Sequence, residues 1–212
     1  IIQARMGSKR LPGKVLKTIN GKTLIEILLN RLSLSEKIEN IILATSENKE
    51  NDLLAETVTE LGFDVFRGSE NDVLDRYYQA AKHYNSKVIL RITGDCPLID
   101  SKIVDKVVIK FEQDKVDYLN NVTPPTFPDG MDVEIFSFET LTEAWKKAKS
   151  TYDREHVTPY IRNNSIFKKS YLTNKTNFGH VRLTVDEPDD LNVIKGKIDF
   201  FSPQPNFYLD DI

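Results

Sequence analysis

Apolar runs of strand length alternate with segments of helical spacing through the first half of this 212-residue chain, and that alternation is its organising signal. Runs at 1–4 (IIQA), 40–45 (NIILAT), 64–66, 87–93 (KVILRIT) and 117–120 read as strands. Between them, 23–32, 50–61, 72–84 and 101–113 carry apolar residues at helical period, several opening on Ser, Thr, Asp or Asn suited to N-capping. Strand–helix–strand units of this kind wind into a mainly parallel sheet. The chain opens inside a strand pattern and without Met, so the first strand is expected to be longer than 1–4.

After Val122 the pattern changes. A proline-rich stretch, 122–130 (VTPPTFPDG), leads to a strand at 132–137, a helix at 138–147 and a charged turn at 151–161 (TYDREHVTPYI). We expect residues 122–161 to form a small substrate lobe within one domain spanning 1–196. A last strand at 180–185 precedes an acidic turn and a helix from Pro188. Residues 197–212 read as a tail, a linker or a partner contact.

In a wound sheet, ligands gather beyond the carboxyl ends of the strands. That rule singles out the loops 5–14, 45–49, 67–71 and 94–100. The first holds Arg5, Lys9, Arg10 and Lys14 around Gly7, Ser8 and Gly13. Glycines let backbone N–H groups approach phosphate oxygens, and the cations neutralise their charge, so the loop suits a polyphosphate. A solvated basic loop is the plain alternative. The loop is not a P-loop, because five residues separate Gly7 from Gly13-Lys14 and Val15 follows. Nor is it a dinucleotide fingerprint, since Pro12 interrupts it and the first clear helix begins only near Thr23.

Composition narrows the partner. With a net charge of −3 the cations are local, which favours a small anion over a nucleic acid. A single cysteine, Cys96, excludes an internal disulfide and a cysteine-rich zinc site, and it reads as a small buried residue. No apolar run approaches the roughly 20 residues of a membrane span, and no signal-peptide pattern opens the chain. A cytoplasmic protein is expected.

Asp95 follows the most apolar strand in Gly94-Asp95-Cys96-Pro97, beside the cations. Such an acid could hold Mg²⁺, with Asp186 at the end of strand 180–185 as second carboxylate. Capping a helix or pairing with an arginine is the plain alternative for each residue. Asp132 and Glu134 share one side of a strand, with Asp129 just before it; they could hold sugar hydroxyls or form a solvated face. Glu155 and His156 sit where a turn could touch a sugar or phosphate, and a structural histidine is the alternative.

Four segments together resemble the cytidylyltransferase family, which includes the acylneuraminate and 3-deoxy-manno-octulosonate cytidylyltransferases. They are 4–14 (ARMGSKRLPGK), the strand end Ala44-Thr45, 94–98 (GDCPL) and 184–191 (TVDEPDDL). The stretches 66–81 (FRGSENDVLDRYYQAA), 91–100 (RITGDCPLID), 128–137 (PDGMDVEIFS) and 154–162 (REHVTPYIR) are most similar to its spore-coat polysaccharide branch. The resemblance spans about 1–194 and implies a Rossmann-like nucleotidyltransferase fold, a three-layer α/β sandwich with a mainly parallel mixed sheet. It also implies Mg²⁺-dependent transfer of a nucleotidyl group to a sugar, with CTP as donor and GTP as the next choice.

By that resemblance the nucleotide lies on Ala4, Arg5, Met6, Gly7, Ser8, Arg10 and Lys14, with Arg67, Arg76, Gly94 and Asp95 as further contacts. Arg5, Lys14, Asp95 and Asp186 are then the catalytic set, and Asp95 and Asp186 the metal ligands. Asp-Cys-Pro replaces the acid that octulosonate enzymes carry after the Asp, so sugar specificity does not transfer. A homodimer is expected from the family. Two rivals stand beside this reading: a nucleotide-sugar glycosyltransferase, which typically shows a closely spaced Asp-x-Asp that the first half lacks, and a non-catalytic nucleotide-binding module.

Overall fold

The computed structural model describes residues 1–202 and 206–211; the parts of the expected tail at 203–205 and 212 lie outside the described residues. In chain order the elements begin with β1 (Ile2–Gln3), β2 (Thr18–Ile19), β3 (Lys22–Thr23), α1 (Leu24–Leu32), β4 (Ile42–Ser46), α2 (Asp52–Glu60), β5 (Asp64–Gly68), α3 (Val73–His83) and β6 (Val88–Thr93). There follow α4 (Ser101–Asp114), β7 (Tyr118–Asn120), β8 (Glu134–Ser137), α5 (Phe138–Lys147), α6 (Thr151–His156), α7 (Pro159–Asn163), β9 (Lys169–Tyr171) and α8 (Pro188–Phe201). Seven strands form one sheet in the order β5-β4-β1-β6-β8-β7-β9. The first four run parallel, β8 is antiparallel to both neighbours, and β9 is parallel to β7. This is the mainly parallel α/β sheet expected from the alternation, made mixed by β8 as the family resemblance implies.

Helices form where the pattern placed them, for identifiable local reasons. The Thr23 hydroxyl accepts the Glu26 N–H to open α1, whose Leu24, Ile25, Leu28, Leu29 and Leu32 are buried on one face. Asp72 caps α3 by accepting from Asp75 N–H, and Asp100 caps α4 through Lys102 and Ile103. All five residues of β4 are buried, as a parallel strand covered on both faces requires. One core gathers α1, α4 and the sheet; a second joins α3 to β8, α5 and α7 through Tyr77, Phe136, Leu141 and Ile161.

Three expectations are corrected. The charged turn at 151–161 is two short helices, α6 capped by the Ser150 hydroxyl and α7 opened by Pro159. Segment 180–185 is not a ladder strand: it makes one isolated bridge to Asp129, accepting from Asp129 N–H at Val181 and donating from Leu183 N–H, and its end is tied separately by Val185 N–H to the Asp95 carbonyl. Its alternation is nonetheless honoured, since Leu183 and Val185 are buried. Gly130 permits that approach, because a Cβ there would stand 2.7 Å from the Leu183 carbonyl carbon. Strands β2, β3 and β9 were not anticipated. The first two form a hairpin closed by Asn20-Gly21, both at positive φ, a strong hairpin signature in the sequence.

The described part of the tail folds back. Arg31, buried on α1, donates to the carbonyls of Ile99 and Phe207 and lies 4.5 Å from the Phe207 ring centre, while Leu209 N–H donates to Asp100. No helix among the described residues is long and apolar enough to cross a membrane.

One buried ion pair joins the parallel half of the sheet to β8. Arg91 and Glu134 are cross-strand partners, and the Glu134 carboxylate also accepts from the Tyr118 hydroxyl. Burial acts to raise the Glu134 carboxyl, but the Arg91 charge and the Tyr118 hydrogen bond hold it below its ordinary value. A buried pair that loses one partner leaves a stranded charge. Glu134→Gln should therefore destabilise the protein by about 3 kcal/mol at pH 7 in urea titration. Because the folded carboxyl is the stronger acid, that difference should be full above the ordinary glutamate range and fade as pH drops below it. A pH-independent difference would contradict this reading.

Candidate active site

The loops beyond β1, β4, β5 and β6 are brought together by side chains that cross between them. Met6 N–H donates to the Asn51 side chain at 2.8 Å, and Asn51 donates to Ser46 at the end of β4. Within the first loop, Ser8 and Gly13 N–H both donate to the Met6 carbonyl, folding residues 6–13 into a closed turn. Gly94 N–H donates to Gln3 O, and a Cβ at Gly94 would lie 2.6 Å from that of Ala4, so only glycine lets the β1 and β6 ends come this close.

Lys14 is the centre of the arrangement. Its ammonium donates to the Val185 carbonyl at 2.7 Å and to Asp186 at 2.8 Å, and stands 3.4 Å from Asp95. Its side chain is 12% exposed, more enclosed than either carboxylate. The two acids chosen as strand-end residues are thus neighbours across one cation, and the backbone ties them too, through Val185 N–H to the Asp95 carbonyl. Asp186 also pairs with Arg10 at 2.9 Å and Arg182 at 3.1 Å. Burial pushes the Asp186 carboxyl up, but the Lys14 hydrogen bond and charge, with Arg10 and Arg182, bring it below the ordinary range. Asp190 accepts from the Asp186 and Glu187 N–H groups and completes a capping box at the start of α8.

The other predicted cations have different surroundings. Arg5 pairs with Glu70 and remains 42% exposed, open to a ligand. Arg67 is held by Asp52 and the carbonyls of Ser46 and Asn48. Arg76 lies inside the wall, 2% exposed, donating to Ser69 O, so its guanidinium is not offered at the surface. Cys96 is buried, with its sulfur 3.2 Å from the Thr93 hydroxyl; burial, then the Asp95 charge, raises its thiol well above the ordinary value.

Beside the Asp95 loop opens a cleft of about 230 Å³, lined among others by Arg91, Asp132, Glu134, Tyr152, His156 and Arg162. Its lining includes Asp132, Glu134 and His156, three of the residues considered from the sequence for sugar contact. Asp129 stands apart, beside Arg182 and Thr184, and Glu155 is exposed on α6 and outside the lining. Sequence reasoning missed Tyr152, Arg91 and Arg162. It also missed Arg154, whose guanidinium holds Asp72 at 2.9 Å and the Trp145 carbonyl at 2.7 Å, anchoring α6 to the start of α3. Among the described residues no three His, Cys, Asp or Glu groups converge as a metal cage.

The chain matches the family described as Cytidylyltransferase over residues 1–194. It is 45% identical over 196 residues to the uncharacterized protein MJ1063 of Methanocaldococcus jannaschii, covering 91% of this chain and 79% of that one. It is 35% identical to the spore coat polysaccharide biosynthesis protein SpsF of Bacillus subtilis, over 92% of this chain and 83% of that protein. A solved cytidylyltransferase structure from Leptospira borgpetersenii serovar Hardjo-bovis superposes with a TM-score of 0.94 at 40% identity, over 99% of this chain and 89% of that chain. With a cation-rich loop, Asp95 beyond β6, Asp186 just before α8 and a family match over nearly its whole length, the chain belongs to the cytidylyltransferase family.

Proposed function

We propose that the protein transfers a cytidylyl group from CTP to a sugar, acidic sugar or sugar phosphate, releasing pyrophosphate, in the making of a surface polysaccharide or glycan. The observation that carries this reading is the Lys14 ammonium seated among Asp95, Asp186 and the Val185 carbonyl, at the end of a loop that also presents Arg5 and Arg10. The family match supports the cytidylyl donor, and the likeness to SpsF supports the polysaccharide context.

The reaction is in-line attack on the α-phosphorus, in which the protein chiefly positions groups and neutralises charge. The backbone from Ala4 to Ser8 would cradle the phosphates. Arg5, Arg10 and Lys14 would take up the charge that accumulates on the departing pyrophosphate. The cleft lined by Asp132, Glu134 and His156 would receive the acceptor, one loop away from Asp95.

The donor set also fits Mg²⁺. Two carboxylates and a backbone carbonyl already converge on one cation, all of them hard oxygen donors. An ion that keeps several waters and draws its other ligands from substrate phosphates needs no more carboxylates than these. Asp95 and Asp186 would hold it, and it would supply charge neutralisation at the α-phosphate.

Pyrophosphate release should be assayed with CTP, GTP, UTP and ATP against sugar phosphates and acidic sugars, including 3-deoxy-manno-octulosonate and an acylneuraminate. CTP is expected to be the productive donor. Removing one preorganised donor that stabilises charge developing in a transition state costs about 10²–10³ in kcat. Lys14→Ala and Asp95→Asn should each lower release about 100-fold or more while circular dichroism stays unchanged. Near-normal release from either variant would overturn the assignment, and tight CTP binding with no release from any pair would favour a non-catalytic module.

A further inference from the structure

Among the acids at this site, one has no hydrogen-bond or ion-pair partner among the described residues. Asp95 and Asp186 meet Lys14, Glu134 meets Arg91 and Tyr118, and Asp129 meets Thr184 and Arg182. Among the described residues, the Asp132 carboxylate makes no hydrogen bond or ion pair, although it lines the cleft. Its orientation is built in. The buried Asn121 side chain donates to the Met131 carbonyl and accepts from Val133 N–H, both at 2.7 Å, so the backbone is clamped on either side of Asp132. Met131 and Val133 are fully buried, and the alternation between them turns Asp132 toward the cleft.

On this basis, and resting on the function proposed above, we propose that Asp132 is the general base that takes the proton from the attacking hydroxyl of the acceptor. As the hydroxyl oxygen forms its bond to the α-phosphorus, its proton passes to an Asp132 oxygen. The bond from the α-phosphorus to the bridging oxygen breaks, and its electron pair leaves on pyrophosphate. Asp132 then returns its proton to solvent through the open cleft. A phosphate nucleophile is already ionised and needs no such base, so this role implies an acceptor that attacks through a hydroxyl.

The surroundings give Asp132 the basicity the role needs. Burial first, then the charges of Asp129, Glu134 and Asp95, push its carboxyl up to about 7, opposed by Arg91. Tyr152 and His156 on α6 and Arg162 on α7 complete the titratable and charged groups facing the cleft. Because the base works ionised, turnover should rise with pH along an acidic limb. Stability should do the opposite. A carboxyl that is a weaker acid folded than unfolded binds more protons in the folded state, so the folded protein loses stability as pH climbs from about 4 to about 7.

Two measurements judge the proposal. In thermal melts, Asp132→Asn should raise Tm at pH 8 and leave it nearly unchanged at pH 4; an equal loss at both pH values would overturn it. In the pyrophosphate assay with CTP and the most productive hydroxyl acceptor of the panel, Asp132→Asn should lose about 10²–10⁴-fold in kcat and the acidic limb of the pH profile, with CTP affinity undiminished. Asp132→Glu should recover part of the rate. An Asn variant that keeps a tenth of the rate, or the same acidic limb, would overturn the assignment. If the unaltered protein releases no pyrophosphate with any acceptor, the proposed function fails, and the melts still judge Asp132.

Discussion

A single ammonium satisfies Asp95, Asp186 and the Val185 carbonyl, and three distant segments meet because of it. Without it, the loop after β6 and the turn before α8 would present the Asp95 and Asp186 carboxylates to each other across a partly enclosed space. At an exposed surface such pairs contribute little, but Lys14 is mostly enclosed and its partners hold further hydrogen bonds, so its removal would leave acids facing each other. The same three oxygens that stabilise the lysine define a place where positive charge is favoured. Phosphate chemistry requires such a place beside cations that can follow the leaving group.

A second device shapes the acceptor side. β8 runs antiparallel between β6 and β7, and the Arg91–Glu134 pair anchors it to β6. The helix that carries Tyr152 and His156 is anchored by Arg154 to Asp72, the residue that caps α3. One carboxylate thus opens a helix and fixes a cleft wall. The arrangement leaves Asp132 as the acid without a partner among the described residues, at the point where an acceptor would enter.

The alternation of strands and helices was legible because long periodic segments bury a continuous face whatever their neighbours are. Short elements were not: α6 and α7 span barely a turn or two each, too few residues for a period to show. Segment 180–185 had the right alternation, yet alternation reports which side is buried and not whether a strand pairs along its length. The Asn20-Gly21 hairpin carried its own signal and was overlooked. In the site, the cations and strand-end acids are local features of their loops. Their partners are not: Arg5 reaches Glu70, and Lys14 reaches Val185, only through the fold. The burial of Arg76 had a trace in helical phase, since it falls on the face of Val73, Tyr77 and Ala80. A charge on that face reads as a ligand contact until the packing is seen.

The central claim is that the Lys14 cluster receives a triphosphate, and calorimetric titration with CTP and with CMP tests it most directly. The unaltered protein should bind CTP at least about tenfold more tightly than CMP, equivalent to about 1.4 kcal/mol. In Lys14→Ala that preference should collapse toward parity. An equal CTP-to-CMP preference in the two proteins would contradict the account.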